Sequence, residues 1–344
     1  MTERVLTGRE LNRALLARQM LLERAPVSIP RALERMGGLQ AQYAPSMYIG
    51  LWSRVEGFER DALTRALERR SVVQGTLMRS TIHLVSARDY WPLALAVERP
   101  RRAWWLKVNR DGLGARDMSA AARRLRPRLA GGTLRRAEID ELLGKARAAG
   151  VGHWLHMVRV PPSGTWERRR ADLYGLAEDW LGPPEVDRAD ALDHTVRRYL
   201  GGFGPATLAE IAGWAGVPNA TVAPALERLR LRRFRSADGD ELVDLPRAPL
   251  PDPETPARVR LLGTWDAILL VHARRAGILP ERHRERVFHV RMPQSTPTFL
   301  VDGVVAGAWR YSDGEVSFDP FERLDRATLR ALREEGERMA AFSA

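Results

Sequence analysis

Two glutamines separated by one residue, Gln40 and Gln42, are the side chains whose type and spacing most suggest chemistry. They lie within Met36 to Ser53, the longest stretch of the chain without a charged side chain. A glutamine amide both donates and accepts hydrogen bonds, so such a pair could hold a small polar reactant. Two glutamines of a buried loop that bond to backbone would give the same pattern. From these residues alone we favour the structural interpretation, with the chemical one as its alternative.

Other kinds of chemistry are excluded or disfavoured by the composition. The chain has no cysteine, which excludes disulfides, thiolate nucleophiles, Cys-ligated zinc and iron–sulfur clusters. His153 and His156 are three residues apart, as two metal ligands on one helix face could be. No HExxH motif and no carboxylate-rich segment accompanies them, so we predict one packed and one solvated histidine. We therefore expect no metal and no other cofactor.

The charge of the chain indicates its partner. The net charge is +12, and 53 of the 55 basic residues are arginine, the exceptions being Lys107 and Lys145. The segment from Val97 to Arg136 contains twelve basic and three acidic side chains. Arginine binds phosphate through paired hydrogen bonds, so the composition favours a polyanionic partner such as nucleic acid. A solvated basic face would produce the same pattern.

The sequence contains nothing that suggests a membrane. No apolar run approaches the roughly 20 residues that span a bilayer. The segment MTERVLTGRE is charged where a signal peptide would be apolar. We expect a soluble, cytoplasmic protein without membrane contacts.

Several subdomains must position these side chains, because 344 residues exceed what one hydrophobic core usually serves. After the glutamines come a helix near Glu59 to Arg69 and two β-branched runs, VVQGTLM and STIHLVS, which is the winged-helix order. The order recurs less clearly in the middle of the chain. It is clearest in the segment from Gly204 to Pro246, where Thr207 and Asn219 are predicted helix caps and Asp238-Gly239 a type I′ turn.

The C-terminal quarter has a different pattern. Four prolines between Arg247 and Pro256 indicate a linker. FHVRMPQ, TFLVDGVVAGAW and EVSFDPF then alternate apolar and polar residues, as in a small antiparallel sheet. The predicted fold class is α+β, with three tandem winged-helix units and a C-terminal antiparallel β element. The predicted boundaries are 1–115, 116–200, 201–250 and 251–344.

The third unit favours phosphate contacts over sequence reading. Its second helix, NATVAPALERL, offers few polar side chains to base edges, although winged helices often serve transcription regulators. Arginines follow at the helix end and wing, and we predict that Arg232 and Arg233 contact DNA phosphates. Arg79, before the second wing strand of the first unit, could hold a phosphate or a carboxylate. His83 points opposite to its neighbours in the strand and is either structural or a DNA contact.

Aromatic side chains among arginines are further candidates. Trp166 follows the Ser163-Gly164 turn with Arg168 and Arg169, which suits a wedge in the minor groove, and it could equally cover a small core. We predict DNA contacts for all three. For the adjacent Trp104 and Trp105 we predict that one is packed and the other is partly exposed.

Six segments in order, from about Thr7 to Phe321, together resemble the AlkZ family of bacterial DNA glycosylases: GLQAQYAPS, LMRSTIHLVSARDY, VPPSGTWERRR, GGFGPATLAEIAGWAG, RLLGTWDAILLVHARR and TFLVDGVVAGAWR. The resemblance implies three winged helices in a C-shaped arrangement around duplex DNA, with a β-rich element contributing to the grip. It also implies that Gln40 and Gln42 are the catalytic Gln-x-Gln motif of the family. The related YcaQ branch carries Gln-x-Asp, so Gln42 indicates an AlkZ-like member.

The implied chemistry is compatible with two neutral amides. A purine alkylated at N7 or N3 is cationic and leaves without protonation, so one glutamine can hold the attacking water while the other orients water or stabilises the sugar cation. Lys107 and Lys145 lie in ordinary basic helical sequence, which favours a monofunctional enzyme over a Schiff-base lyase. We expect a monomer that acts on double-stranded DNA containing alkylated purines, including bulky adducts or crosslinks of a genotoxic natural product. The alternative is a non-catalytic, DNA-binding transcriptional regulator.

Overall fold

The computed structural model describes residues 4–270, 277–288 and 295–344, and its fold class is α+β. The α-helices in these ranges are α1 (Gly8–Arg18), α2 (Ile29–Met36), α3 (Ala44–Trp52), α4 (Arg60–Glu68), α5 (Ala87–Val108), α6 (Ala115–Leu129), α7 (Arg136–Leu143), α8 (Lys145–Gly150), α9 (Ala177–Leu181), α10 (Arg188–Phe203), α11 (Leu208–Ala215), α12 (Asn219–Arg228), α13 (Arg284–Val287) and α14 (Arg326–Ser343). The strands are β1 (Val5–Leu6), β2 (Leu39–Gln40), β3 (Val72–Thr76), β4 (Ile82–Ser86), β5 (Thr133–Arg135), β6 (Met157–Arg159), β7 (Leu173–Leu176), β8 (Arg232–Ser236), β9 (Glu241–Asp244), β10 (Arg260–Leu262), β11 (Thr298–Val301), β12 (Val304–Ser312) and β13 (Glu315–Pro320).

Three segments of the chain repeat one order of elements: helix, strand, two helices, then a hairpin. The first consists of α2, β2, α3, α4, β3 and β4, and the second of α6, β5, α7, α8, β6 and β7. In both, the first strand pairs with the last strand of the hairpin. In the third, α10, α11, α12, β8 and β9 follow the same order, and a single bridge between Ala206 and Val243 takes the place of the first strand.

The hairpins of the first two segments form one sheet. Strand β3 pairs with β6, which gives a six-stranded sheet of order β2-β4-β3-β6-β7-β5. The third hairpin is extended differently, because β1 pairs with β8 in parallel through Val5 with Arg235 and Leu6 with Ser236. A strand from outside each segment therefore extends its hairpin: β6 pairs with the first hairpin, and β1 pairs with the third.

The predicted boundary between residues 200 and 201 falls inside α10 (Arg188–Phe203), the first helix of the third segment. Residues 247–256 contain no helix or strand, as expected for a linker, and β10 to β13 form the predicted antiparallel sheet. The predicted strand FHVRMPQ lies almost entirely in 289–294, outside the described residues. In the ranges that are described, no helix is both long and apolar enough to cross a bilayer.

Several helices start at local sequence signals. In the third segment, the predicted cap of α12 and the predicted type of the hairpin turn are both wrong. Thr7 with Glu10 and Thr207 with Glu210 form capping boxes, and the predicted cap at Thr207 is thereby confirmed. Asn219 is instead the first residue of α12, and Pro218 occupies the cap position without a side-chain hydrogen bond. In the hairpin turn only Gly239 has a positive φ, of 89°, so the turn is not type I′, which requires two such residues.

Buried ion pairs connect the segments. Arg54, at the end of α3, donates to both carboxylate oxygens of Asp266 at 2.9 and 2.7 Å, and both side chains are shielded from water. Arg18 of α1 is bonded in the same way to Asp244 of β9. A buried pair of this kind is costly to break, because the remaining charge has no partner. The first segment is thus fixed to the C-terminal part, and α1 to the third segment.

Candidate active site

Gln40 and Gln42 lie where the short strand β2 turns into α3. Gln40 pairs with His83 of β4, and the Ala41 N–H donates to the Ile82 carbonyl, which fixes the backbone on either side of the motif. The Gln40 side chain is half-buried and that of Gln42 is exposed. Gln40 Nε2 donates to Gln42 Oε1 at 2.5 Å. The interpretation as two buried glutamines bonded to backbone is therefore wrong: the amides bond to each other at the surface.

The guanidinium of Arg79 contacts Gln40, the half-buried member of this pair. Its Nη2 lies 3.4 Å from Gln40 Oε1 and 3.4 Å from His83 Nε2, and its Nη1 donates to the Trp214 carbonyl oxygen. Arginine has donors only, so the atom of Gln40 that faces it must be the carbonyl oxygen. Hydrogen-bond donation therefore runs in one direction, from Arg79 to Gln40 to Gln42.

His83 is neutral in this arrangement. Its Nδ1 lies 3.1 Å from the Thr81 carbonyl oxygen, which can only accept, so Nδ1 carries the proton and Nε2 is an acceptor toward Arg79. Burial, reinforced by the charge of Arg79, lowers the pKa of His83 to about 3. Burial lowers the pKa of Arg79 to about 10, so its guanidinium stays charged at neutral pH. Neither group titrates near neutrality.

Grooves border the motif on two sides. Gln42 lines a cleft of about 230 Å³ together with Arg136, Arg159 and Tyr174 of the second segment. The next residue, Tyr43, lines a broader groove of about 870 Å³ between the first segment and the C-terminal sheet. Gln42 thus stands at an accessible junction, where a polymer could approach it.

The predicted DNA contacts Trp166, Arg168 and Arg169 differ in how far they are exposed to solvent. Trp166 packs edge-on against Tyr48 and Phe342, with ring centroids 5.6 and 5.7 Å away, which is the core-covering alternative. Arg168 and Arg169 are exposed, and Arg169 Nη1 lies 3.4 Å from the Tyr43 hydroxyl, at the edge of the broader groove. The two arginines are accessible to a ligand, whereas the Trp166 ring is largely occupied by the protein.

The other predicted DNA contacts already have partners within the chain. Arg232 donates to Asp244 and Arg233 to Glu241, so each of these two arginines of β8 is paired with a carboxylate of β9. His83 is 2% exposed, which prevents it from contacting a ligand directly. The donors of Arg79 are directed at Gln40, His83 and Trp214. We do not retain these four residues as phosphate contacts.

The predicted aromatic and histidine pairs have distinct surroundings. Trp105 is 7% exposed and Trp104 50%, which confirms that one is packed and the other partly exposed. His153 is buried, with its Nδ1 bonded to the Gly150 carbonyl oxygen. His156 is not solvated as predicted, because its imidazole lies 3.4 Å from Glu98 and its side chain is 16% exposed.

Sequence reasoning named Arg79 and His83 as candidates but did not predict their contacts beside Gln40. The contact between Arg79 and Trp214 joins residues 135 positions apart, and no local pattern indicates it. Arg159 and Tyr174, which line the same cleft as Gln42, were missed because they lie on two short strands of the second hairpin. The signal that the sequence does offer is the place of Arg79 and Ser80 at the turn between two β-branched runs, which puts Arg79 next to the strand that carries His83.

Comparison with known proteins gives consistent results. A family model described as "DNA glycosylase AlkZ-like" matches residues 33–342, a range that includes both glutamines. A protein of Streptomyces sahachiroi named "Interstrand DNA cross-link repair glycosylase" is 24% identical over 358 residues, covering 95% of this chain and 94% of the relative. The solved structure of "Streptomyces sahachiroi DNA glycosylase AlkZ" superposes with a TM-score of 0.82 at 20% identity, covering 98% and 97% of the two chains. At this identity the structural likeness establishes the fold.

Proposed function

The chain belongs to the AlkZ-like family of DNA glycosylases, and from that premise we propose that it excises purines made cationic by alkylation at N7 or N3. The observation that carries the proposal is the amide pair of half-buried Gln40 and exposed Gln42, held by hydrogen bonds at the junction of two grooves. It offers polar contacts to a reacting sugar, and neither amide titrates.

The direction of the hydrogen bonds supports different roles for the two glutamines. Gln42 Oε1 accepts from Gln40 and keeps a second lone pair on the exposed side of the motif. We assign this oxygen to the attacking water, which it orients toward C1′, and its partial negative charge stabilises the developing sugar cation. Gln40 orients Gln42. The two residues act in series.

Release of a cationic base requires no proton from the protein. The bond between C1′ and the purine nitrogen breaks, and its electron pair neutralises the alkylated base as it leaves. Water oxygen bonds to C1′ and loses a proton to solvent, which leaves an abasic site. A neutral base would leave as an anion and would need a general acid, which neither amide can provide. The site is therefore suited to leaving groups that already carry positive charge.

A hydrolytic, monofunctional outcome is supported by where the lysines lie. Lys107 on α5 and Lys145 on α8 are both exposed, and neither lines the groove or the cleft beside the motif. Formation of a Schiff base with the sugar requires an amine next to C1′. We propose that the enzyme releases the base and leaves the DNA backbone intact.

We propose that the three repeated segments are winged-helix units that hold duplex DNA in a C-shaped arrangement, in a monomer. Their repeated order of helices and hairpin supports this assignment. The units would span about 29–86, 115–176 and 188–244, which shifts the predicted boundaries to the observed helix starts. Arg168 and Arg169 are the predicted phosphate contacts that stay exposed. The regulator alternative is not favoured, because Arg228 on α12 is bonded to Asp193 and unavailable to read bases.

Substrates larger than methylated bases are part of the proposal. The similar protein of Streptomyces sahachiroi is named for interstrand crosslink repair. In this chain, the groove of about 870 Å³ beside Tyr43 supports room for a bulky adduct or the remnant of a crosslink. We propose that such adducts, formed by a genotoxic natural product, are substrates, and that the enzyme protects against them.

The test is excision of N7-methylguanine from a defined duplex, followed by alkaline cleavage of abasic sites. Gln40→Ala and Gln42→Ala should each reduce the single-turnover rate by about 10²-fold or more, as loss of one preorganised polar contact does. DNA affinity should change little. Wild-type rates in both variants would show that the glutamines are not catalytic.

A further inference from the structure

We propose that Arg79 is a positioning residue for base excision, which fixes the orientation of the Gln40 amide and through it that of Gln42. This inference rests on the proposed function. It differs from the sequence-based prediction, in which Arg79 holds a DNA phosphate or a carboxylate. It also gives a role to a contact between the first and third segments.

The amide of Gln40 has two ends of nearly equal size, so its shape alone does not define which end faces Gln42. Arg79 removes the ambiguity, because it lies 3.4 Å from Oε1 and can only donate. Nε2 must then face Gln42 Oε1. With the Gln40 amide reversed, two carbonyl oxygens would meet, and Gln42 would have to turn away or reverse its own amide, so that Oε1 no longer takes its present position.

Two groups fix the Arg79 guanidinium in turn. The Trp214 carbonyl oxygen, at the end of α11, accepts from Nη1, and neutral His83 accepts from Nη2 through Nε2. A cation is favourable at a helix C-terminus, where the last carbonyls lack backbone partners. The orientation of a catalytic amide in the first segment thus depends on a helix of the third.

Backbone packing makes the contact specific. Arg79 has φ 51° and ψ 23°, in the left-handed region. Gly216, directly after α11, has φ +73°, and a Cβ added there would lie 2.8 Å from both the N and the Cα of Arg79. Only glycine allows the two segments to approach this closely. An alanine at position 216 would displace Arg79 without touching either glutamine.

The role is geometric, because the positive charge of Arg79 should oppose formation of a sugar cation nearby. Were charge the dominant effect, neutral replacements would accelerate excision. Were Arg79 a phosphate contact, lysine would largely substitute for it. A positioning role predicts that lysine fails, since one ammonium group cannot reproduce the planar fork that bonds to Gln40, His83 and Trp214.

The experiment measures the single-turnover rate at saturating enzyme, and separately the dissociation constant, on N7-methylguanine duplex DNA. Arg79→Lys and Arg79→Gly should lower the rate by about 10- to 100-fold, with less than threefold change in DNA affinity. Added guanidinium ion should partly restore the rate of Arg79→Gly. The matched control is Arg70→Lys, because Arg70 also has a left-handed φ, of 60°, and contacts Trp180 and Asp179 instead.

A second pair of variants keeps the test valid if changes at position 79 destabilise the fold. Gly216→Ala should reduce the rate, whereas Gly57→Ala, with φ +62° and no neighbour within 4 Å, should not. An unchanged rate with weaker binding for Arg79→Lys, or an unchanged rate for Gly216→Ala in folded protein, overturns the inference. No excision by the wild-type protein instead overturns the proposed function.

Discussion

Exchanging each glutamine for glutamate tests the direction of the hydrogen bonds at the site. Gln42→Glu would keep the oxygen that accepts from Gln40 Nε2 and would add a carboxylate facing the water. Gln40→Glu would lose the Nε2 donor and direct an oxygen at the Gln42 carbonyl. It would also attract Arg79, which already lies 3.4 Å from this side chain. The same chemical change should therefore have opposite consequences at two positions that are two residues apart.

The magnitudes follow from the 2.5 Å contact between the amides. Replacing its donor by an acceptor brings two oxygens together at a separation where they repel, so Gln42 must turn away or reverse its amide, and in either case Oε1 no longer orients the water. Loss of a preorganised contact costs about 10²- to 10³-fold in rate, or about 3–4 kcal/mol. We expect this loss for Gln40→Glu. Gln42→Glu should stay within about tenfold of wild type, since the acceptor geometry is kept.

The pH profile provides a second readout. An exposed glutamate titrates near pH 4.3, so the rate of Gln42→Glu should fall as the pH drops through about 4–5, where the carboxylate is protonated. The wild type has no such group in the motif and should show no such step. The assay is single-turnover release of N7-methylguanine between pH 4 and 8, corrected for spontaneous depurination. An active Gln40→Glu beside an inactive Gln42→Glu would refute the assigned direction.

Five further outcomes are expected. Uracil, hypoxanthine and 1,N6-ethenoadenine should not be released under conditions that release N7-methylguanine. The wild-type excision rate should be nearly flat between about pH 6 and 8, whereas a bell-shaped profile would reveal a hidden acid or base. DNA affinity should fall steeply with salt and show little sequence preference, which binding to random-sequence duplexes measures; selection of one palindromic site would contradict it. Arg54→Met should lower the free energy of unfolding by about 3–5 kcal/mol by leaving Asp266 buried without its partner, and the double variant with Asp266→Leu should recover most of the loss in urea titrations. Because burial lowers the pKa of His83 to about 3, the unfolded chain alone takes up this proton as pH falls below about 6.5, so this group should remove about 2 kcal/mol of stability between pH 7 and 5, and His83→Asn should lack that part.

Local signals in the sequence were sufficient for many elements. Thr7, Thr207 and Asp325 cap helices because their oxygens satisfy free N–H groups within three residues, a relation readable from the sequence. Gly37 ends α2 in the left-handed conformation for an equally local reason. The order of helices and hairpin was readable in the third segment for the same reason.

The arrangement of the site required contacts that the sequence does not display. Composition alone favoured a structural role for Gln40 and Gln42, and only the resemblance of several segments to a family identified them. Arg79 was predicted to face a phosphate or a carboxylate, because its type suits both. The structure directs it inward, since a carbonyl from a helix far along the chain lies within reach. Side-chain type constrains what a residue can bind, whereas packing determines which partner is present.

The pairing of β1 with β8 has a consequence for folding kinetics. Val5 and Leu6 are synthesised before the first two segments, whereas their partners Arg235 and Ser236 follow only after both. Bringing such distant residues together costs chain entropy, and contacts of this kind slow folding. Until β1 pairs with it, one edge of β8 is free and can associate with another chain. Recombinant fragments that lack β1, or newly made chains at high concentration, should therefore aggregate through this edge.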